Sequence, residues 1–344
     1  MKKIFIVITI LFLTACSDYK ELNDLAIVSS IGINKENDDY KICLEVLNTD
    51  KKESKNKIYY SSGKTINEAI NKANNKSGKK IYGGHLNQII VSKDSLNNIN
   101  DIIDSFIRLT EVKDEIDIFL SKENNPCKII KNNKNIESYK LLDNAKKYTS
   151  RTSNTNIDSF ISNYLKYGID PVVSVVKLDN KDIIIDNIGI TKNGKFIKYL
   201  DEEETIGYNF IRNEIYELSI PVKYNDEYMS VKIINSKTTN KISKKNNKYI
   251  IDINIKIDAY ITEYGINLDL NKDNTIKKLE EITSKKIKKY INKTIKLDKK
   301  SDFLGFKRMI YENYKEKTNN YKINTNIKVN LKRKGELKTK IKEK

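Results

Sequence analysis

The chain has 344 residues, of which 38% are hydrophobic and 32% are charged, and its formal net charge at pH 7 is +18. Apolar β-branched residues recur with a period of two, which excludes a disordered chain and predicts a folded body of more than one domain. A nucleic-acid-binding protein would cluster its basic residues beside exposed aromatic ones, whereas these lysines are spread along the whole chain. We therefore expect no nucleic-acid partner, although such a charge would draw a tethered chain toward anionic lipid headgroups.

The first residues have the order of a secretion signal, with two lysines, an apolar run over 4–13 and then small residues. The run is shorter than the roughly 20 residues that a spanning helix needs. Leu13-Thr14-Ala15-Cys16 resembles the bacterial lipobox, in which the cysteine receives a diacylglycerol and the bond before it is cut. We therefore predict a signal peptide over 1–15, a lipidated Cys16 carrying acyl chains such as palmitate, and a tether over 16–22. The alternative is an ordinary signal followed by an unmodified cysteine.

The N-terminal region alternates between strand and helix patterns. Thr65 and Glu68 have capping-box spacing, so a helix should begin there and continue to about Ser77. Gly168 is a helix stop signal. Strands are predicted over 23–34, 39–48, 86–91, 117–120 and 172–178, with further helices through Ile99 and Phe106 and, between 135 and 166, two more.

The C-terminal region reads as a sheet packed by separate helices. Asn193-Gly194 predicts a tight hairpin turn, and odd positions over 249–261 are mostly apolar. Strands are also predicted over 183–191, 214–224, 228–236 and 323–333, and helices over 201–212, 271–296 and 302–316. The fold class is therefore α+β, with mixed or antiparallel sheets each packed by helices.

The domain organisation follows from this order of elements. We predict an N-terminal α+β region over 23–180, divisible into two subdomains near 125–150, and a C-terminal α+β domain over 181–335. The boundary between them is placed near 178–182. Residues 336–344 read as a solvated basic tail.

Two cysteines besides Cys16 lie in apolar surroundings. An exported protein permits a disulfide between Cys43 and Cys127, but lone cysteines are more often small buried hydrophobic residues. We therefore expect two buried thiols. Neither has a CxxC or histidine partner, so no metal site, redox motif or cofactor is predicted.

The sequence contains no phosphate loop, nucleophile elbow or zinc motif, and His85 is the only histidine. In Gly83-Gly84-His85 it could be a general base on a strained turn, but two glycines more simply give backbone freedom before a strand. The acidic run from Asp201 to Glu204 fits the N-terminus of a helix better than a cation site. We therefore predict that the chain is not an enzyme.

The segment Asp302-Phe303-Leu304-Gly305-Phe306 is the most distinctive aromatic stretch. Ser301 or Asp302 could cap a helix in which Phe303 and Phe306 lie on one stripe. The stripe would either pack in the core or face a partner protein, and periodicity does not separate these alternatives.

Several segments together resemble one family, the Ger(x)C lipoproteins, which are the C subunits of nutrient germinant receptors of endospore-forming bacteria. They follow one another in family order along the mature chain: Glu21 to Val28 with Gly32-Ile33, Gly63-Lys64-Thr65 with Glu68-Ala69, Tyr82-Gly83-Gly84-His85, Leu200 to Thr205, and Asp302 to Phe306. Two features depart from the family pattern. Ser17 to Lys20 replace an aromatic residue followed by basic ones, and Lys307 stands where glycine is common.

The resemblance implies a multi-domain α+β lipoprotein on the outer face of the inner spore membrane. It implies assembly with two integral membrane subunits into a receptor that starts germination, and leaves open whether the chain touches a nutrient. Two other hypotheses stay open. One is a solute-binding lipoprotein with a ligand in an interdomain cleft, and the other is a tethered enzyme relying on His85.

Overall fold

A computed structural model describes residues 24–48, 56–108, 115–132, 138–264, 270 and 272–332. The predicted signal peptide, Cys16 with its tether, and the basic tail lie outside these residues.

Within this described part, the N-terminal region contains one nine-stranded mixed sheet. Its strands are β1 (Leu25–Glu36), β2 (Asp39–Val46), β3 (Lys57–Gly63), β4 (Lys80–Tyr82), β5 (Gln88–Val91), β6 (Asp117–Ser121), β7 (Val172–Asp179), β8 (Asp182–Lys192) and β9 (Lys195–Tyr199). The order is β3-β2-β1-β5-β6-β7-β8-β9, and β4 pairs with β1. Strands β1, β5, β6 and β7 run parallel, so their amino ends share one edge. Strands β2 and β8 pair antiparallel at either side of this parallel core.

Helices cover both faces of this sheet, as a parallel core requires. They are α1 (Ile66–Ser77), α2 (Lys93–Leu96), α3 (Ile99–Ile107), α4 (Cys127–Lys131), α5 (Ser138–Thr149) and α6 (Ile157–Leu165). Side chains from α1, α2, α3 and α6 pack on one face against Ile89 and Val91. Ile90, between them in β5, points to the other face and packs with residues of α4 and α5.

The C-terminal region is a four-stranded sheet with helices on one face. Its elements are α7 (Glu202–Arg212), β10 (Leu218–Tyr224), β11 (Glu227–Lys245), β12 (Lys248–Glu263), α8 (Asp273–Asp298), α9 (Phe306–Tyr314) and β13 (Tyr321–Lys332). The strand order is β10-β11-β12-β13, and β13 is parallel to β12 because the chain crosses over through α8 and α9. Odd positions of β12 are buried under these helices, while the even positions form a polar outer face.

The predicted α+β class and the main periodic elements are confirmed. The β1–β2 hairpin, the helix begun by Thr65, the Asn193-Gly194 turn and the long alternating strand are all present. Strands β3 and β4 were not predicted, because β3 is mostly half-exposed and β4 has only three residues. The predicted start of the last helix was wrong. Gly305, at φ 74°, forms its N-cap, so the helix begins at Phe306.

The predicted division near 178–182 falls at the β7–β8 turn, inside one continuous sheet. The two strands after it, β8 and β9, extend the N-terminal sheet. Yet Ile188 and Ile190 of β8 also pack in the C-terminal core. The two regions therefore share β8. The possible split near 125–150 falls in the helical connection between β6 and β7, which are neighbouring strands of the same sheet.

The expectation of two free thiols is wrong, because Cys43 and Cys127 form a disulfide between β2 and α4, with their Cα atoms 5.8 Å apart. Gly32 of β1 lies beneath it. A Cβ atom at this glycine would stand 2.7 Å from Cys43 Sγ. The bond thus fastens α4 to the sheet where the strand surface has no side chain.

Candidate functional site

The Gly83-Gly84-His85 motif forms the loop between β4 and β5, and His85 is exposed. Its ring meets Tyr82 edge to face, with centroids 6.3 Å apart. Neither glycine has a positive φ, so the expectation of unusual backbone freedom was wrong. Gly84 instead gives room to a ring, since a Cβ there would overlap the Tyr82 hydroxyl. The loop is thus an exposed surface feature shaped by Tyr82.

The aromatic segment before α9 faces inward. Phe303, Leu304 and Phe306 are each at most 2% exposed and belong to the C-terminal core. Phe303 stacks on Tyr208 of α7, with ring centroids 6.1 Å apart. Core packing accounts for these three side chains.

The same segment joins the C-terminal region to the loop before β7. Asp170 Oδ2 accepts hydrogen bonds from Asp302 N at 3.1 Å and Ser301 Oγ at 3.4 Å, while Asp170 N donates to Asp302 O at 3.1 Å. Gly168 O accepts from Arg308 N at 2.9 Å. Gly168 allows this approach, since a Cβ on it would lie 2.6 Å from that nitrogen. We call the contact between residues 168–171 and 301–308 the junction.

A buried carboxyl group lies beside the junction. Asp298, the last residue of α8, is 2% exposed and accepts a hydrogen bond from Leu304 N at 2.8 Å through Oδ1. Its Oδ2 has no hydrogen-bond partner among the described atoms. Burial is the main cause that raises the pKa of Asp298 to about 7. This group therefore changes charge near neutral pH.

The acidic run from Asp201 to Glu204 begins α7, as predicted. Asp201 accepts from Glu204 N and the Glu204 carboxylate accepts from Asp201 N, both at 2.9 Å, which is a full capping box. Lys293 of α8 also contacts Asp201, at 2.6 Å. Burial alone would raise the pKa of Asp201, but hydrogen bonds from Lys293 and Glu204 N lower it overall. The run therefore caps α7 and links it to α8.

A polar cavity of about 400 Å³ opens near the amino ends of β5 and β6. Lys146 of α5 pairs with Asp117 at 2.6 Å inside it. Burial raises the pKa of Asp117, and the charge of Lys146 opposes that shift. The lining consists of amide, carboxylate, amine and phenol groups: Asn87, Glu115, Asp117, Tyr139, Asp143, Lys146, Asn154 and Asn156. These groups can hold a small polar molecule by hydrogen bonds, and all belong to the N-terminal region rather than to an interdomain cleft.

The described residues contain no group of three or more histidine, cysteine, aspartate or glutamate side chains arranged to hold a metal ion. None of the helices defined here combines the length and apolar character that a bilayer crossing requires.

The sequence did not reveal the junction, the polar cavity or the burial of Asp298. Asp170 and Asp298 read as ordinary loop and helix-end acids, because their partners are distant in the chain. Only the Asp302 to Phe306 motif pointed to this part of the molecule.

Comparison with known proteins gives a consistent result along the chain. The family model "Spore germination protein N-terminal domain" matches residues 18–178, and "Spore germination B3/ GerAC like, C-terminal" matches 186–338. Spore germination protein KC of Bacillus subtilis (strain 168) is 22% identical over 91% of this chain and 87% of its own length. Spore germination protein GerQC of Bacillus cereus is 22% identical over 89% of this chain and 88% of its own.

A solved structure shares the fold. The crystal structure of the GerBC protein has a TM-score of 0.60 and 18% identity, covering 88% of this chain and 96% of that chain. The two family models match in the expected order and together span nearly all of the sequence, in which the resembling motifs also lie. The chain therefore belongs to the Ger(x)C family, and its role is in spore germination.

Proposed function

We propose that this chain is a lipid-anchored subunit of a spore nutrient germinant receptor. It is held by Cys16 on the outer face of the inner spore membrane and acts through contacts with two integral membrane subunits. The observation that supports this proposal is the position of the lipobox: the N-terminal family match begins at residue 18, two residues after Cys16. The proposed anchor would thus be next to the family domain in the sequence.

The anchor contributes to function as well as to location. Two acyl chains hold a protein stably on a bilayer, where one holds it only marginally. Confinement to one surface raises the effective concentration of the chain beside membrane partners, so modest contact surfaces suffice for assembly.

The first experiment tests lipidation. Sporulating cells of the source organism are labelled with radioactive palmitate, and the chain is recovered from membrane and soluble fractions. The wild-type chain should carry label and sediment with membranes, whereas Cys16→Ser should lose both properties. Ser17→Ala, beside the modified residue, is the matched control and should keep both. An unlabelled wild-type chain would contradict the anchor.

The second experiment tests the partners. The tagged full chain is purified from detergent-solubilised spore membranes, and co-purifying proteins are identified by mass spectrometry. Two integral membrane proteins should be enriched, and spores lacking the chain should fail to germinate with at least one nutrient. Recovery of no membrane protein, together with normal germination on every nutrient tried, would refute the proposal.

A second candidate function rests on the polar cavity. The chain could capture a small polar solute between α5 and the amino ends of β5 and β6. Calorimetric titration of the lipid-free chain with candidate germinants would then show direct binding, weakened by Asp143→Asn in the cavity. Asp104→Asn on α3 is the control, because both aspartates form i,i+4 pairs on helix surfaces. Absence of heat with every nutrient that triggers germination would dismiss this candidate.

A further inference from the structure

The outward face of α8 is strongly basic. Six of its lysines are exposed: Lys277, Lys278, Lys285, Lys288, Lys289 and Lys296. At 3.6 residues per turn they fall within an arc of about 120°. Glu281 is the one exposed acidic side chain within that arc among the described residues. Lys299 and Lys300, just after the helix, are also exposed. We call these eight lysines the lysine face.

Most of this charge has no opposite charge beside it among the described residues. Among the described residues, only Lys289 of the lysine face has an ion-pair partner, Glu203, at 4.0 Å. Neighbouring Lys293, half-buried and outside the face, instead pairs with Asp201 and Glu203. Asp201 and Glu203 therefore hold α7 against α8, while most of the exposed lysines remain available to solvent or a partner.

The shape and chemistry of the face select its partner. With 26 residues, α8 is about 39 Å long. The arc contains neither an arginine nor an aromatic side chain, which are the residues that bind nucleic acid by bidentate contacts and stacking. A row of flexible, compact ammonium groups suits a diffuse layer of negative charge. Anionic phospholipid headgroups present such a layer.

The fold also places one end of α8 toward the sheet edge from which β1 begins. Ser30, Gln88 and Asp117 are in register across β1, β5 and β6, and Phe119 is paired with Ser174 of β7. Three strand spacings of about 4.8 Å put β7 roughly 14 Å from β1. The amino ends of both strands point to the same sheet edge. Val172 is level with Ser30, so the start of β1 at Leu25 extends about 17 Å further along that direction.

The junction ties the end of α8 to this edge, since Ser301 and Asp302 bind Asp170 just before β7. The eight Cα–Cα steps from Cys16 to Asp24 can reach at most about 29 Å. A lipid on Cys16 and the lysines at the end of α8 can therefore meet the same bilayer. The position of the lipid on Cys16 rests on the proposed function, whereas the charge of the lysine face does not.

We propose that the lysine face of α8 is a docking surface for the anionic phospholipid headgroups of the membrane to which the chain is anchored. It would fix the orientation of the folded body on the bilayer, beside the membrane partners.

The test uses residues 17–344, which contain both family domains but cannot be lipidated. Binding is measured by co-sedimentation with vesicles of phosphatidylglycerol and phosphatidylcholine, and with phosphatidylcholine alone, at low salt. The altered chain carries Lys278→Gln, Lys285→Gln and Lys288→Gln, because glutamine preserves helix propensity. The control carries Lys237→Gln, Lys322→Gln and Lys328→Gln on the outer face of the C-terminal sheet. These are also exposed lysines, so the net charge changes equally.

The wild-type chain should bind only the anionic vesicles. Each lysine near such a surface contributes about 1 kcal/mol, so the α8 substitutions should weaken binding roughly 100-fold, and the control substitutions only a few-fold. Circular dichroism checks that both variants are folded. A second set, Lys277→Gln, Lys289→Gln and Lys296→Gln, should repeat the loss.

Three results would overturn the proposal: equal binding to phosphatidylcholine alone, equal weakening by the control set, or tighter binding of duplex DNA through the same α8 lysines at the same salt. Failure of the lipidation proposal would be seen separately, as an unlabelled Cys16 in cells, because the vesicle measurement involves no anchor.

Discussion

Replacement of Asp298 by asparagine should stabilise the protein at and above neutral pH. Burial is the largest cause of the raised pKa of this carboxyl. The hydrogen bond from Leu304 N opposes it, Asp302 and Asp170 add to it through their negative charge, and Lys307 lowers it. Asparagine keeps an Oδ1 acceptor for Leu304 N and carries no charge.

The size of the effect follows from the shift. The pKa rises from 3.8 to about 7 on folding, so the folded chain retains a proton that the unfolded chain releases between these values. Stability from this group is therefore present at low pH and is lost as the pH rises through about 4 to 7. Since one pKa unit corresponds to 1.36 kcal/mol, the ionised carboxylate lowers the free energy of unfolding by about 4 kcal/mol. Roughly 2 kcal/mol of this decrease occurs between pH 5.5 and pH 8.

Urea unfolding followed by circular dichroism, at several pH values between these limits, measures the difference. Asp298→Asn should exceed the wild type by a margin that grows by about 2 kcal/mol across the range. Asp104→Asn, whose carboxylate is 63% exposed, should follow the wild type at every pH. If the margin between Asp298→Asn and the wild type stayed constant with pH, the buried carboxyl would not be the source of the effect.

Three further predictions concern covalent and packing features. Changing Cys43 and Cys127 together to serine should lower the free energy of unfolding in urea by about 4 kcal/mol, because the disulfide closes a loop of 84 residues. A reductant should not destabilise this double variant further. Gly168→Ala should cost at least about 2 kcal/mol more than Gly78→Ala. Both glycines have positive φ, but only at Gly168 would the Cβ meet a backbone atom, so equal losses would argue against the junction. Phe303→Ala should lower the free energy of unfolding by about 3 to 5 kcal/mol, as measured by thermal unfolding, because this side chain is buried. An unchanged Tm would contradict its role in core packing.

The sequence predicted features whose physics is local. The alternation over 249–261 marks a strand with one buried face, and Asp201 and Glu204 satisfy each other within one helical turn. Both patterns lie within a few residues of chain, so periodicity and capping rules apply directly.

Features that need distant residues to meet were missed. A disulfide depends on the Cα atoms of Cys43 and Cys127 coming within bonding range, which no spacing rule states. Asp170 resembles any loop acid until Ser301 and Asp302 lie against it. The lysines of α8 looked like part of an even spread of charge, because only their angles around the helix separate exposed ones from Lys293.

The parallel pairing of β13 with β12 has a consequence for the order of folding. Strand β12 is 16 residues long, yet its partner on one side arrives only after α8 and α9 have been made. Until Tyr321 and the residues after it are available, that side of β12 is an open edge with unpaired backbone groups. Pairings of such long sequence separation form slowly. While the C-terminal sheet is incomplete, a newly made chain is therefore exposed to pairing with the wrong strand, and that risk depends on the timing of synthesis rather than on the stability of the finished protein.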